Sequence, residues 1–138
     1  MHFDAPPELT SAAFGPIAES VWSPEFQPHF IESAPAAQVA GAVFTTPDGK
    51  LWLLHDYDTA GGLVQYVIVD ARSLLVTLTI RISADPSGSA VTMTYDGVAL
   101  DDGGRAHLEA LKRHSQRLRD GMQTAVAAYL KTGGQDTR

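Results

Sequence analysis

The closing segment of the chain, from about Asp102 to Thr132, reads as one amphipathic helix, and it limits the fold more than any other feature. Asp101 or Asp102 can cap its start, and Gly133-Gly134 ends it. At 1.5 Å per residue such a helix is about 45 Å long. Laid out at about 100° per residue, Leu108, Leu111, Ser115, Leu118, Met122, Val126 and Tyr129 form one stripe. Arg113, Arg117, Asp120 and Thr124 lie opposite. A stripe of that length needs an extended apolar surface to rest on, and a sheet face is the natural one.

The middle of the chain supplies that sheet. Strands are expected over 39–46, 51–58, 63–71, 74–83 and 90–100, separated by turn signals such as Pro47-Asp48-Gly49, Thr59-Ala60-Gly61-Gly62, Arg72-Ser73 and Asp85-Pro86-Ser87-Gly88. Their spacing is that of an antiparallel meander. The stretch 74–83 alternates most clearly, with Leu74, Val76, Leu78, Ile80 and Ile82 on one face and Thr77, Thr79, Arg81 and Ser83 on the other. A four-residue turn at 85–88 sets Ile82 opposite Val91, Ile80 opposite Met93 and Leu78 opposite Tyr95, so both apolar faces agree. The strands 51–58 and 63–71 are apolar on both faces, and their inward sides stay open. Before the sheet come a very short strand at Met1 to Asp4, two short helices over 8–14 and 17–22, and a cluster of Phe26, Phe30 and Ile31 around Pro28, expected to be buried.

Composition then excludes several classes. The 138 residues are 44% hydrophobic and 19% charged, enough apolar material for one core. The net charge of −6 argues against a nucleic-acid partner, which calls for positive charge. There are no cysteines, so no disulfide, thiol nucleophile or cysteine zinc site exists. Residues 1–20 lack the charged-then-apolar pattern of an export signal, and no apolar run approaches the roughly 20 residues of a membrane span. A cytoplasmic protein without a membrane span is expected. One domain over 1–133 is expected, with a flexible tail at 134–138.

A helical pair, a run of antiparallel strands and a long C-terminal helix is the order of the helix-grip fold. The chain resembles the START-related, pollen-allergen-like superfamily called SRPBCC in several segments. The segment from Phe14 to Trp22 is similar to the helix after that family's first strand. The stretches Gly41 to Phe44, Leu51 to Asp58, Tyr66 to Val69, Thr92 to Tyr95 and Tyr129 to Gly133 are similar to later elements. The first strand departs from the pattern by being cut short. The resemblance implies an α+β fold of six or seven antiparallel strands wrapped around the C-terminal helix, with a ligand cavity between them. It carries over no catalytic residue, because the superfamily spans lipid and hormone binders and aromatic cyclases alike.

Within such a fold, Trp52, Tyr66, Met93 and Tyr95 line the cavity, whereas in a filled core the same side chains are packing. The apolar body of a ligand would lie among Leu78, Ile80, Met93, Leu111, Leu118 and Met122, with its polar end reaching Ser115 and Arg119. Ser115 sits in the centre of the stripe, where its hydroxyl either bonds back to the carbonyl of Leu111 or meets a ligand. Arg119, one turn on, either extends into water or pairs with a ligand carboxylate.

Other groups are weaker candidates. The hairpin at 59–62 would set His55 opposite Tyr66, a pair able to exchange protons if that face is inward. Asp56 and Asp58 flank a loop, where solvation is the simpler role. His107 and His114 lie two turns apart, about 10 Å, too far to share a metal ion. No motif calls for a cofactor. The favoured function is binding of a small, mostly apolar molecule. The alternative is a cyclase- or dehydratase-like enzyme acting on a small aromatic or polyketide-type substrate through His55, Tyr66 or Tyr95. A structural module with a filled core is a third reading, and a homodimer stays open as a further partner.

Overall fold

The structure is a computed structural model that describes residues 1–31, 38–71 and 73–133. The tail expected at 134–138 and Arg72 of one expected turn lie outside the described residues.

The element order is β1 (His2–Phe3), α1 (Pro7–Ala12), α2 (Pro16–Trp22), β2 (His29–Phe30), β3 (Val43–Thr45), β4 (Lys50–Asp58), β5 (Leu63–Asp70), β6 (Leu74–Asp85), β7 (Gly88–Ala99) and α3 (Asp102–Lys131). The strands form one antiparallel sheet in the order β1-β7-β6-β5-β4-β3-β2. This is the expected α+β, helix-grip-like arrangement of seven strands and one long C-terminal helix. The meander needs only local hairpin pairings, except at β1, which returns to the far edge beside β7.

Register follows the apolar patterning where that pattern is clean. Ile82 pairs with Val91, Ile80 with Met93 and Leu78 with Tyr95, as expected. The connecting turn is tighter than four residues, because Asp85 and Gly88 themselves pair. The strand expected at 39–46 is reduced to three residues, and Gly41 just before it takes a left-handed φ of 95°. Ile31, expected in the buried aromatic cluster, is exposed, whereas Phe26 is buried and Phe30 half-buried.

The strand β4 holds the main departure. The hairpin pairs Asp58 with Leu63, Tyr57 with Val64 and Asp56 with Gln65, then slips so that Leu54, not His55, faces Tyr66. His55 is the extra residue of a bulge. Side chains alternate with period two, so Trp52 and Tyr57 could not share a face on an unbroken strand. The bulge reverses the phase, and Trp52, Leu54 and Tyr57 all join the inner side. The reverse side explains the earlier ambiguity. Leu51, Val69, Leu75 and Val98 pair in one row across four strands on the outer face, and Leu51, Val69 and Val98 stay exposed.

The core has two parts. One is aromatic: Phe44 stacks on Trp52 with centroids 5.6 Å apart, and Tyr66 meets Trp52 edge-on at 5.4 Å. The other is the aliphatic inner face of β5 and β6, from Val64 and Ile68 to Leu74 and Ile80. The helix α3 begins as its sequence predicts, with Asp101 Oδ1 accepting from the Gly104 amide at 2.9 Å. It meets the sheet near that end, where Leu108 lies against Gly97. A Cβ on residue 97 would come within 2.6 Å of the Leu108 side chain, so the glycine permits the close approach. Near its other end Val126 is fully buried. Between these points the helix stands off. Leu118, a member of the apolar stripe expected to pack on the sheet, is 54% exposed. No helix among the described residues is long and apolar enough to cross a membrane.

Candidate functional site

The gap between the sheet and the middle of α3 is a cavity of about 660 Å³. Its floor is the inner face of the sheet: Tyr66, Ile68, Leu74, Val76, Leu78 and Ile80, all buried. The mouth is marked by the exposed lining residues Tyr95 on β7 and Lys112, Leu118 and Arg119 on α3. The side chains expected from the sequence to line a cavity all border this space: Trp52, Tyr66, Leu78, Ile80, Met93, Tyr95, Leu111, Ser115, Leu118, Arg119 and Met122.

Their polar groups are partly committed. The Ser115 hydroxyl donates to the Lys112 carbonyl at 3.1 Å rather than to that of Leu111, leaving its oxygen free to accept. The Arg119 guanidinium donates to Gln116 Oε1 at 3.1 Å and sits at the exposed rim. Tyr66 donates its phenol proton to the Phe14 carbonyl at 2.7 Å, deep in the core. Loss of hydration, then the nearby Glu19, raise its pKa well above the ordinary value, so it is held as a donor rather than poised to exchange a proton. His55 is outside the cavity, exposed and bonded to Asp56 Oδ2 at 2.9 Å. The His55–Tyr66 pair expected from the hairpin does not form, because the bulge intervenes. Asp58 accepts from the Gly61 amide at 2.8 Å and fixes the turn.

Two features of the site escaped sequence reasoning. The first is Glu19, on the cavity wall with Phe14, Trp22 and Tyr66. Its placement follows from the corner between α1 and α2. A helix end leaves its last carbonyls without partners, and here side chains from elsewhere take them. Gln38 Nε2 donates to the Ala12 carbonyl at 3.0 Å, Trp22 Nε1 to that of Ala13 at 2.7 Å, and Tyr66 to that of Phe14. Gln38 Oε1 also accepts from the Ala18 amide at 2.8 Å. These bonds lock the start of α2 and turn Glu19 toward the cavity. Burial without a compensating partner raises its pKa from 4.5 to about 8. The only signal in the sequence is its spacing of three from Trp22, which puts both on one helix face.

The second is Asp70 at the far end of the cavity. It is buried on β5, and its Oδ2 lies 3.2 Å from His107 Nε2 of α3, without the alignment of a hydrogen bond. The pair ties the start of α3 to the sheet. Among the described residues no three histidine, aspartate or glutamate side chains gather as a metal site. No protein-family model matches this chain, and no curated protein matches it.

Proposed function

We propose that the protein binds a small, mostly apolar ligand in the cavity between the sheet and α3. The carrying observation is the stand-off itself. The helix presents Leu111, Leu118 and Met122 to an open space of about 660 Å³, not to the sheet. That volume lies within the range of pockets for small organic molecules, roughly 300–1,000 Å³. Apolar surface left in contact with water forgoes about 25 cal/mol per Å². A ligand that fills the gap recovers that energy from both walls at once. The same reading takes the chain as a member of the SRPBCC superfamily, on the strength of element order and of the sheet-and-helix arrangement.

Binding of N-phenyl-1-naphthylamine, a neutral dye that fluoresces in apolar surroundings, tests this. It should bind saturably to one site. Leu111→Trp, which extends a ring into the cavity, should weaken that binding by about tenfold or more, the equivalent of roughly 1.4 kcal/mol, with an unchanged circular dichroism spectrum. Equal affinity in the variant would move the dye elsewhere and remove the proposal.

A further inference from the structure

Among the described residues, the charged groups around the cavity are paired with neighbours or open to water, except Glu19. Lys50 pairs with Asp48 at 3.1 Å, and Lys112 with Glu109 at 3.5 Å. Arg119 is bonded to Gln116, and Asp70 faces His107. Asp96 is exposed to water. Glu19 alone combines a place on the cavity wall, withdrawal from water and a carboxyl that makes no hydrogen bond or ion pair among the described residues. Half-buried polar groups without partners in a cavity are where a ligand's own polar atom gains most, because the bond replaces a missing one.

We propose that Glu19 is the polar anchor of this cavity and that it takes, as a hydrogen-bond donor, the carbonyl oxygen of an otherwise apolar ligand. This rests on the ligand-binding function proposed above. The groups that face Glu19 choose carbonyl over amine. From the sheet the phenols of Tyr66 and Tyr95 come near it, and the cations Lys112 and Arg119 of α3 stand at the rim of the same cavity. Tyr95 lies within electrostatic reach of both Glu19 and Arg119. An ammonium group entering here would pass two cations at the mouth and would have to lose its hydration to pair with Glu19. A ketone or ester oxygen carries no such cost and accepts the proton of the Glu19 carboxylic acid in a hydrogen bond. Glu19 carries its proton at neutral pH, since burial holds its pKa near 8. A protonated carboxyl in an apolar site is a good donor to a carbonyl oxygen.

The test is displacement of N-phenyl-1-naphthylamine by 2-decanone, decane and decylamine, in the wild type, Glu19→Gln and Glu19→Leu, at about pH 6.5 and about pH 9.5, on either side of the Glu19 ionisation. At the lower pH, 2-decanone should bind the wild type about fivefold more tightly than decane, the yield of one net hydrogen bond. That preference should vanish at the higher pH and in Glu19→Leu. It should persist at both pH values in Glu19→Gln, whose amide donates without titrating. A ketone preference that survives Glu19→Leu, or a wild type that prefers decylamine, overturns the anchor while leaving the apolar cavity standing. Failure of the dye and of all three displacers to bind removes the ligand-binding function, and the anchor with it.

Discussion

One stripe of α3 does two different things along its length. At its ends it is packing: Leu108 presses on Gly97, and Val126 is sealed in the core. In its middle the same kind of residue, at the same helical spacing, stands over a cavity. Leu118 is eight residues before Val126 and on the same face, yet more than half of it is exposed. Hydrophobic periodicity therefore says which face of a helix turns to the sheet, but not how close the sheet comes. Distance is set by what fills the space between. At the ends it is filled by the partners of Leu108 and Val126; in the middle α2 packs against α3 beside the open space.

Aspartate substitutions break or sharpen that contrast. Val126→Asp puts an unpaired charge where no water reaches, and should cost about 4 kcal/mol or more, or prevent folding. Urea unfolding measures it, and a loss under about 1 kcal/mol would mean that the C-terminal end of α3 is not packed as described.

A second effect concerns the carboxyl that faces the stand-off. Unfolded Glu19 ionises near its ordinary 4.5 and folded Glu19 near 8. Between those values the folded state holds a proton that the unfolded state has lost. Stability therefore falls as pH rises through that window, and falls no further above it. Glu19→Gln removes this term. The urea midpoint of Glu19→Gln should gain on that of the wild type as pH is raised from about 4.5 to about 8, and a constant difference would contradict the desolvated, unpartnered carboxyl.

Leu118→Asp should have the smallest effect on folding, within about 1 kcal/mol, because water already reaches the site. It should nevertheless weaken dye binding, since the charge borders the cavity. Unfolding of this variant would show that the helix lies closer to the sheet than the cavity allows.

Much of this architecture was legible in the residues, for identifiable reasons. The strict alternation of 74–83 fixed a register that the paired strand then matched residue for residue, and Asp101 and Gly133 bound α3 as a cap and a stop should. The lining side chains of β6, β7 and α3 were legible too, because helix phase and strand phase both point inward, whereas the inward faces of Trp52 and Tyr66 were not fixed by their strands. The bulge at His55 was not, since β4 and β5 are apolar on both faces and neither phase is favoured locally. His55 and Tyr66 were consequently paired across a slip that separates them. Glu19 was hidden for another reason: its orientation depends on Gln38 and Tyr66, which reach the end of α1 from distant parts of the chain.

The central claim is that the space between the sheet and the middle of α3 takes an apolar molecule. The chain has two tryptophans, Trp22 and Trp52, and both line that space. Titration with 1-bromodecane, whose heavy atom quenches indole fluorescence on contact, reads occupancy directly. The account predicts saturable quenching with one-to-one stoichiometry, lost in Leu111→Trp once the added indole is allowed for by its own unliganded spectrum. Quenching that rises linearly without saturation, or no quenching at all, would contradict it.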